Sequence, residues 1–272
     1  MGNRIKKENL DLLLGYNRKL SRSEISEILG VTDSLARTYR GIMDNFDLID
    51  AIKPKEENRV LVIGDLHTPF TLDGYLEFCV GIKNKYQCNK VVFIGDVLDN
   101  HYASFFDTDP DGHGALEELR LAKEMIATFY KEFPVAYVTR GNHDILPERK
   151  AFNSGLSKSW IKKIEDVLEV PDWKFVEDVV IDDVLYTHGT GRKARQRAKN
   201  DMLSVVQGHY HSESYIEHFV GLSDHIFAMQ LGCGINRKSY AMAYGKHFDK
   251  PHINCGVVLE NGSLPVLEYF KL

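Results

Sequence analysis

Five short blocks of carboxylate, amide and imidazole residues, each at the end of a strand-like run, constrain this chain more than any other feature. They are Asp65-Leu66-His67, Gly95-Asp96-Val97-Leu98-Asp99, Gly141-Asn142-His143-Asp144, His188-Gly189 and Gly208-His209-Tyr210-His211. The runs before them begin at Val60, Val91, Val135, Val184 and Leu203. They are short, rich in β-branched residues and apolar without alternation, as strands covered on both faces are. Helical patterns separate several of them. From Leu116 to Phe133, residues Leu116, Leu119, Met125, Ile126 and Phe129 are spaced for one apolar stripe. Strand–helix alternation predicts a layered α/β fold, and in such folds ligands gather beyond the carboxyl ends of the strands. All five blocks lie there, so their side chains are expected to converge. Gly64, Gly95, Gly141 and Gly208 each precede a block residue; they read as points where the chain turns off a strand or lets backbone approach a ligand.

In order and content the blocks resemble those of the calcineurin-like metallophosphoesterases, whose pattern is DxH, GDxxD, GNH[DE], H and GHxH. The resemblance runs from Val60 to His211 and on into the strands that follow. It implies a four-layer α/β/β/α sandwich with two divalent metals between the sheets. It also implies roles. Asp65, His67 and His211 would hold one metal, Asp96 would bridge both, and Asn142, His188 and His209 would hold the other. His143 would be the catalytic acid near the leaving group, oriented by a hydrogen bond to Asp99. Asp144 would be a support rather than a ligand. The protein-phosphatase branch continues the second block with Arg-Gly and ends the third with Glu. Asp99-Asn100-His101 and Asp144 depart from that and stand closer to branches that include DNA-repair nucleases and phosphodiesterases.

The residue types suit that chemistry. Two cations about 3.5–4 Å apart can share a hydroxide and clamp both ends of an in-line displacement. A carboxylate can bridge them, and Asn142 can ligate through oxygen while its N–H faces a phosphate. An imidazolium can protonate the departing alkoxide. Oxygen and imidazole ligands without thiolate fit Mn, which we put first, and also Fe, Zn or Ni. His101, His113, His218, His225, His247 and His252 fit no block and read as surface or packing residues. Of these, His101 stands two residues past Asp99 and could face substrate.

The segment Ser21–Arg40 reads as two helices around Gly30, with Ser21 or Ser23 as a cap, Ile25, Ile28 and Leu29 buried, and Thr32 capping the second helix. Leu35, Tyr39 and Ile42 would face its core. It resembles the helix-turn-helix of many bacterial and phage DNA-binding regulators, which would turn Ser34, Arg37, Thr38 and Arg40 toward DNA. Residues 1–50 carry eight basic and eight acidic residues, so this is no basic arm. A dimerisation or docking module, giving a homo-oligomer, is the competing expectation. The expected organisation is a helical domain over 1–50, a polar linker over 51–59 and the catalytic domain over 60–272.

Directly after His188, residues 191–199 carry Arg192, Lys193, Arg195, Arg197 and Lys199 with no acid. This run is expected to open a helix with Thr190 near its N-cap, and Arg192, Lys193 and Arg195, with Asn142, are candidate substrate contacts. A solvated helix face is the plainer reading. The glycine-rich segment Gly232–Lys238 reads as a plain turn. Strands are expected over Phe227–Leu231, Cys255–Leu259 and Pro265–Phe270, the last two joined by a hairpin at Glu260–Ser263 and completing the second sheet.

A chain of 272 residues suits one catalytic domain and a small appendage. Its net charge of −5 means that any polyanion must be met by local patches. Four dispersed cysteines, no CxxC and no long apolar run point to a reducing cytoplasm and to no membrane association. The leading expectation is a phosphodiesterase or nuclease acting on nucleic acid, in the style of a phage protein. The alternatives are a phosphatase or cyclic phosphodiesterase for small or protein substrates, and a DNA-binding regulator that uses the fold as a scaffold.

Overall fold

The apolar runs between residues 60 and 269 form strands that stack as two sheets in the computed structural model, which describes residues 9, 12–13, 20–44, 57–105, 109, 111–222, 225–239 and 250–271. The first sheet has parallel strands β1 (Val60–Ile63), β2 (Lys90–Phe93), β3 (Ala136–Thr139) and β4 (Trp173–Val176). The second holds β5 (Asp178–Ile181), β6 (Val184–Thr187), β7 (Ser204–Gln207), β8 (Tyr215–Val220) and β9 (His225–Gln230), in the order β5-β6-β7-β9-β8. Every run expected before a block is a strand, displaced by a residue at most. In register, Ile63 lies opposite Phe93, so the loops carrying Asp65 and Asp96 leave the sheet side by side.

Alternate residues of a strand point to opposite faces, and here both faces are covered. Val60, Val62, Val92 and Ile94 meet Val184, Tyr186, Val206 and Met229 between the sheets. Leu61, Val91 and Phe93 pack outward with Ile82, Ile126 and Phe129, from the helices Tyr75–Tyr86 and Ala115–Glu132. The other sheet covers Leu185, Val205 and Ala228 with Ala194 and Ala198 of the helix Ala194–Asp201. The result is the four-layer α/β/β/α sandwich, and double burial explains why the strands do not alternate.

Two expectations are corrected. The strands β10 (Asn254–Leu259) and β11 (Leu264–Tyr269) do form a hairpin, but in the first sheet, whose order is β11-β10-β1-β2-β3-β4. β10 runs antiparallel along the edge of β1 that β2 leaves open, with Val60 opposite Val258 and Ile63 opposite Cys255. On the helix Ala115–Glu132, Leu116 is 83% exposed. The buried line runs Glu118, Ala122, Ile126, Phe129, and Leu116 points away because two residues turn a helix by about 200°.

By contacts the chain divides into two units, Met1–Glu57 and Asn58–Leu272. Asn58 and Arg59, expected in the linker, already bond to the larger unit: the Asn58 amide side chain donates to Asp182 at 2.7 Å and Arg59 N to Asn89 at 3.0 Å. In the smaller unit the helix Arg22–Leu29 is capped by Ser21, whose Oγ accepts from Glu24 N while Glu24 accepts from Ser21 N. It ends at Gly30, with φ of 60°, and the helix Asp33–Asp44 follows. Leu20, Ile25, Ala36 and Tyr39 are buried between them, with Ile28, Leu29, Val31 and Leu35 at the margin. The Ile42 side chain and residues 45–56 lie outside the described residues, as does His247. Among the described residues, Cys79, Cys88, Cys233 and Cys255 are free, buried thiols, and no helix is long and apolar enough to cross a membrane.

Candidate metal centre

The five blocks meet at one end of the sandwich because their loops are tied to one another. His67 N donates to Asp96 O at 2.9 Å, Thr68 N to Val97 O at 3.0 Å, and Asp99 N to Thr68 O at 3.1 Å. His143 N donates to Asp96 Oδ1 at 2.8 Å, and His209 N to Asp65 Oδ2 at 2.9 Å. The segment Gly232–Lys238 is more than the plain turn expected. It braces Asp65 from behind, with Gly234 N donating to Asp65 O at 2.8 Å.

The sharp turns off the strands are made by candidate ligands themselves. His67, Asp96 and His209 have φ of 50°, 44° and 71°. For residues with a Cβ this left-handed backbone costs about 1–3 kcal/mol each, and it persists where the surroundings over-determine it. The glycines serve close approach instead. A Cβ on Gly141 would lie 2.0 Å from Asp96 Oδ1, and one on Gly208 would lie 2.4 Å from Asp65 Oδ1.

Beside a cluster of His67, Asp99 and His143, which shares His67 with the first, two groups of donor atoms result, Asp65–His67–His211 and Asp96–His188–His209, the ligand atoms of each within 4.8 Å of one another. Asp96 Oδ2 lies between them, 3.2 Å from His188 Nε2 and 3.7 Å from His67 Nε2. Asn142 Oδ1 is 3.0 Å from His188 Nε2. All seven candidate ligands expected from the sequence are therefore brought together.

The hydrogen-bond pattern fits a cation. His188 Nδ1 faces the carbonyl of Ile94 at 3.0 Å, and a carbonyl can only accept, so the proton sits on Nδ1. His67 Nδ1 likewise donates to the Asp99 carboxylate at 2.7 Å. Both Nε2 atoms are then lone pairs. They point at further acceptors: Asp96 and Asn142 for His188, and Asp96 with the Nε2 of His211, 3.3 Å away, for His67. Asp65 Oδ1 is buried without a hydrogen-bond partner. Carboxylate and amide oxygens and imidazole nitrogens that converge in this way are what divalent cations satisfy, and Nδ1–H bonds of this kind fix the tautomer of a ligating imidazole.

The carboxylates hold positive charge in the centre, and without a cation protons on the imidazoles supply it. Burial lowers His67, and burial followed by the neighbouring His188 lowers His209. Burial would lower His188 too, but the Asp96 and Asp65 carboxylates prevail and raise it to about 10. Burial opposes ionisation of Asp96 as well, yet His188 and His143 hold it well below the usual carboxylate range. For His143 the order is the same: burial lowers it, and Asp96 and Asp99 more than compensate, so it is raised. Asp144, buried and facing Asp96, is pushed up to about 7; it accepts from Gly141 N and Leu98 N and makes no approach to the donor groups.

The expected bond between Asp99 and His143 is present, but through the Asp99 backbone carbonyl rather than its side chain. His143 Nδ1 donates to the Asp99 backbone carbonyl at 2.6 Å, whereas the carboxylate is taken by His67 and stands 3.9 Å from His143 Nδ1. His101 does not face substrate: it is buried, accepting from Asp109 N at 3.1 Å.

The basic run fares differently from expectation. Its helix is capped at Lys193, not Thr190. Lys193 pairs with Glu213, Arg195 with Glu217 at 3.4 Å, Arg197 with Asp201 at 2.9 Å and Lys199 with Glu217 at 3.9 Å. Arg195 also lies over the Tyr215 ring at 4.2 Å. The turn before β8, β8 and the helix itself thus supply the acids that the run lacks. Arg192 has no ion pair among the described residues and lines a polar cavity of about 540 Å³ with Gly189, Thr190 and Gln207. In the smaller unit Ser34, Arg37 and Thr38 are exposed and Arg40 is half-buried.

The family model for calcineurin-like phosphoesterases matches residues 58–227. The chain belongs to this family. Its members are divalent-metal-dependent, and this calcineurin-like phosphoesterase is accordingly a metal-dependent hydrolase. A comparison with curated proteins finds no match. Similar solved structures include a metallophosphoesterase from Sphaerobacter thermophilus, at 11% identity over 79% of this chain and 89% of that one, with a TM-score of 0.43. Others are the phosphoesterase Yfce from E. coli (13% identity, 78% and 100% covered, TM-score 0.35) and the nuclease MPE from Pseudomonas putida (12%, 76% and 86%, TM-score 0.35).

Proposed function

We propose that this phosphoesterase is a two-metal phosphodiesterase acting on nucleic acid. The observation that carries the two-metal part is Asp96 Oδ2 standing between two sets of lone-pair donors, with 3.2 Å to one set and 3.7 Å to the other. In this reading Asp65, His67 and His211 hold one cation, Asn142, His188 and His209 the other, and Asp96 both. Bound there, two cations, Mn foremost, supply positive charge for the phosphoryl oxygens and lower the pKa of water. The chain's own groups do the rest. His143, oriented through Nδ1 by the Asp99 carbonyl, keeps Nε2 free and carries the proton that the leaving oxygen needs. Asn142 offers its amide N–H groups to the phosphate, and Arg192 offers an unpaired guanidinium.

Nucleic acid as the substrate class is supported by the N-terminal helix pair, with Ser34, Arg37, Thr38 and Arg40 as its DNA contacts. The four neutralised cations of the run 192–199 favour a second reading, a phosphatase or cyclic phosphodiesterase for small substrates with residues 1–57 as a docking or dimerisation module.

Hydrolysis of bis-(p-nitrophenyl) phosphate and of single- and double-stranded DNA, compared across Mn, Zn, Fe and Ni, decides between them. Cleavage of both substrate types, lost in Asp96→Asn, is expected. Activity on p-nitrophenyl phosphate with none on diesters would overturn the proposal in favour of the second reading.

A further inference from the structure

A second cationic stretch, residues 149–163, carries Arg149, Lys150, Lys158, Lys162 and Lys163 with no acid, in a chain whose net charge is −5. Unlike the run after His188, it keeps most of its charge. Lys158 lies 3.6 Å from Glu148 and Lys163 lies 3.9 Å from Glu165, while Arg149, Lys150 and Lys162 have no ion pair among the described residues. Two large aromatics stand in the same stretch, Phe152 at 71% and Trp160 at 81% exposure. Arg149 and Lys150 lie over the half-exposed ring of Phe105, 4.8 and 5.6 Å from its centroid. Exposing a tryptophan and a phenylalanine to water is costly, and a cationic surround does nothing to lower that cost.

The stretch is anchored to one side of the centre. The helix Leu146–Asn153 starts three residues after His143, and Leu146 N donates to His143 O at 3.1 Å. The turns His101–Ala103, beside Phe105, and Lys158–Trp160 both pack against that helix. Asn100 Nδ2 donates to His143 O at 2.9 Å, tying the first turn to the same residue. Phe152 is six residues into the helix, about 9 Å along its axis and within one or two nucleotides of its start.

We propose that the surface around Arg149, Phe152, Lys158, Trp160 and Lys162 is a track for single-stranded nucleic acid, taking up the strand on the leaving-group side of the centre. The proposal rests on the nucleic-acid reading above and deepens it. Unpaired bases stack on Phe152 and Trp160, and phosphates meet the cations between them, the combination that holds single strands without sequence preference. A duplex offers these rings no free base face. An acidic peptide offers charge without stacking.

Trp160 supplies the test. The chain has two tryptophans, and the other, Trp173, is 2% exposed. Titrating the metal-loaded full chain with a cleavage-resistant phosphorothioate oligothymidine should quench the emission of Trp160; a duplex or poly-glutamate should not. Trp160→Ala should weaken binding roughly tenfold and Trp160→Phe should restore most of it. Lys150→Ala and Lys162→Ala should each lower the salt slope of binding by about 0.7. Unchanged emission, equal quenching by duplex or poly-glutamate, or equal affinity in Trp160→Ala would overturn the track. If bis-(p-nitrophenyl) phosphate is cleaved under those outcomes, the diesterase reading survives alone. Quenching without any diester hydrolysis would leave the track and remove the catalytic reading.

Discussion

The carboxylate of Asp99 accepts a hydrogen bond from His67 Nδ1 at 2.7 Å, and its own backbone carbonyl accepts one from His143. One residue therefore orients two imidazoles through different atoms. Removing the side chain should disturb only the first. Asp99→Ala is expected to weaken metal binding roughly 10–100-fold, as loss of such a partner does, with Asp99→Asn much milder because its amide oxygen still accepts. Metal titration by calorimetry reads this. Unaltered affinity together with a collapsed kcat would return the carboxylate to His143.

His143 is not one of the seven candidate ligands, although its ring stands with His67 and Asp99. His143→Ala should keep two metals per chain while kcat falls roughly 10²–10⁴-fold. The loss should be larger for alkyl than for p-nitrophenyl leaving groups, since a poor leaving group needs the proton more. Equal losses for both would argue against a protonating role.

Gly141 has no room for a methyl group, because Asp96 Oδ1 would lie 2.0 Å from it. Gly141→Ala should cost about 1–3 kcal/mol of stability by overpacking and should displace the carboxylate that both donor sets share. Thermal melting and metal content measured on the same sample check both parts. A variant with wild-type metal content would show that Asp96 can retreat.

Chelation should destabilise the larger unit. A ligand that binds only the folded state adds about 2.7 kcal/mol at 100 times its Kd. A chain stripped with EDTA should therefore melt at lower temperature, and a divalent ion should restore the loss. A melting point indifferent to chelator would mean that the lone pairs are satisfied otherwise.

Glu118 is buried, accepts from His101 N at 2.7 Å and leaves Oε2 without a partner; burial, reinforced by the charge of Asp99, pushes it from 4.5 up to about 7. Tyr102 and His143 are the other titratable groups that act on it. Between pH 4.5 and about 7 the folded state holds a proton that the unfolded chain has released. Stability from this group is complete below that window and declines as pH rises through it, by at most about 1.4 kcal/mol per pH unit. Glu118→Gln should flatten the decline in denaturant titrations, and an unchanged slope would refute it.

The convergence of the five blocks is legible because each carries its chemistry in adjacent residues and each strand announces itself by β-branched runs. What the sequence could not convey came from partners far along the chain. The cations after His188 look unopposed until β8 and the turn before it bring Glu217 and Glu213 beside them. Residues 149–163 do not stand out in the sequence because their charges are interrupted by Phe152, Ser154 and Trp160, and only burial separates an exposed tryptophan from a core one. Leu116 shows the same limit, since periodicity gives a face but not which turn of a helix reaches the core. The hairpin's sheet was misassigned because pairing partners 198 positions apart, Val60 and Val258, leave no local trace.

That pairing bears on how the protein is made. The strand β1, which leads to Asp65, is flanked by β10, made 198 positions later, so until then a nascent chain holds β1 with one edge bare. The sheet edge beside the metal centre is therefore closed only once β10 has joined it, after all five blocks have already been synthesised.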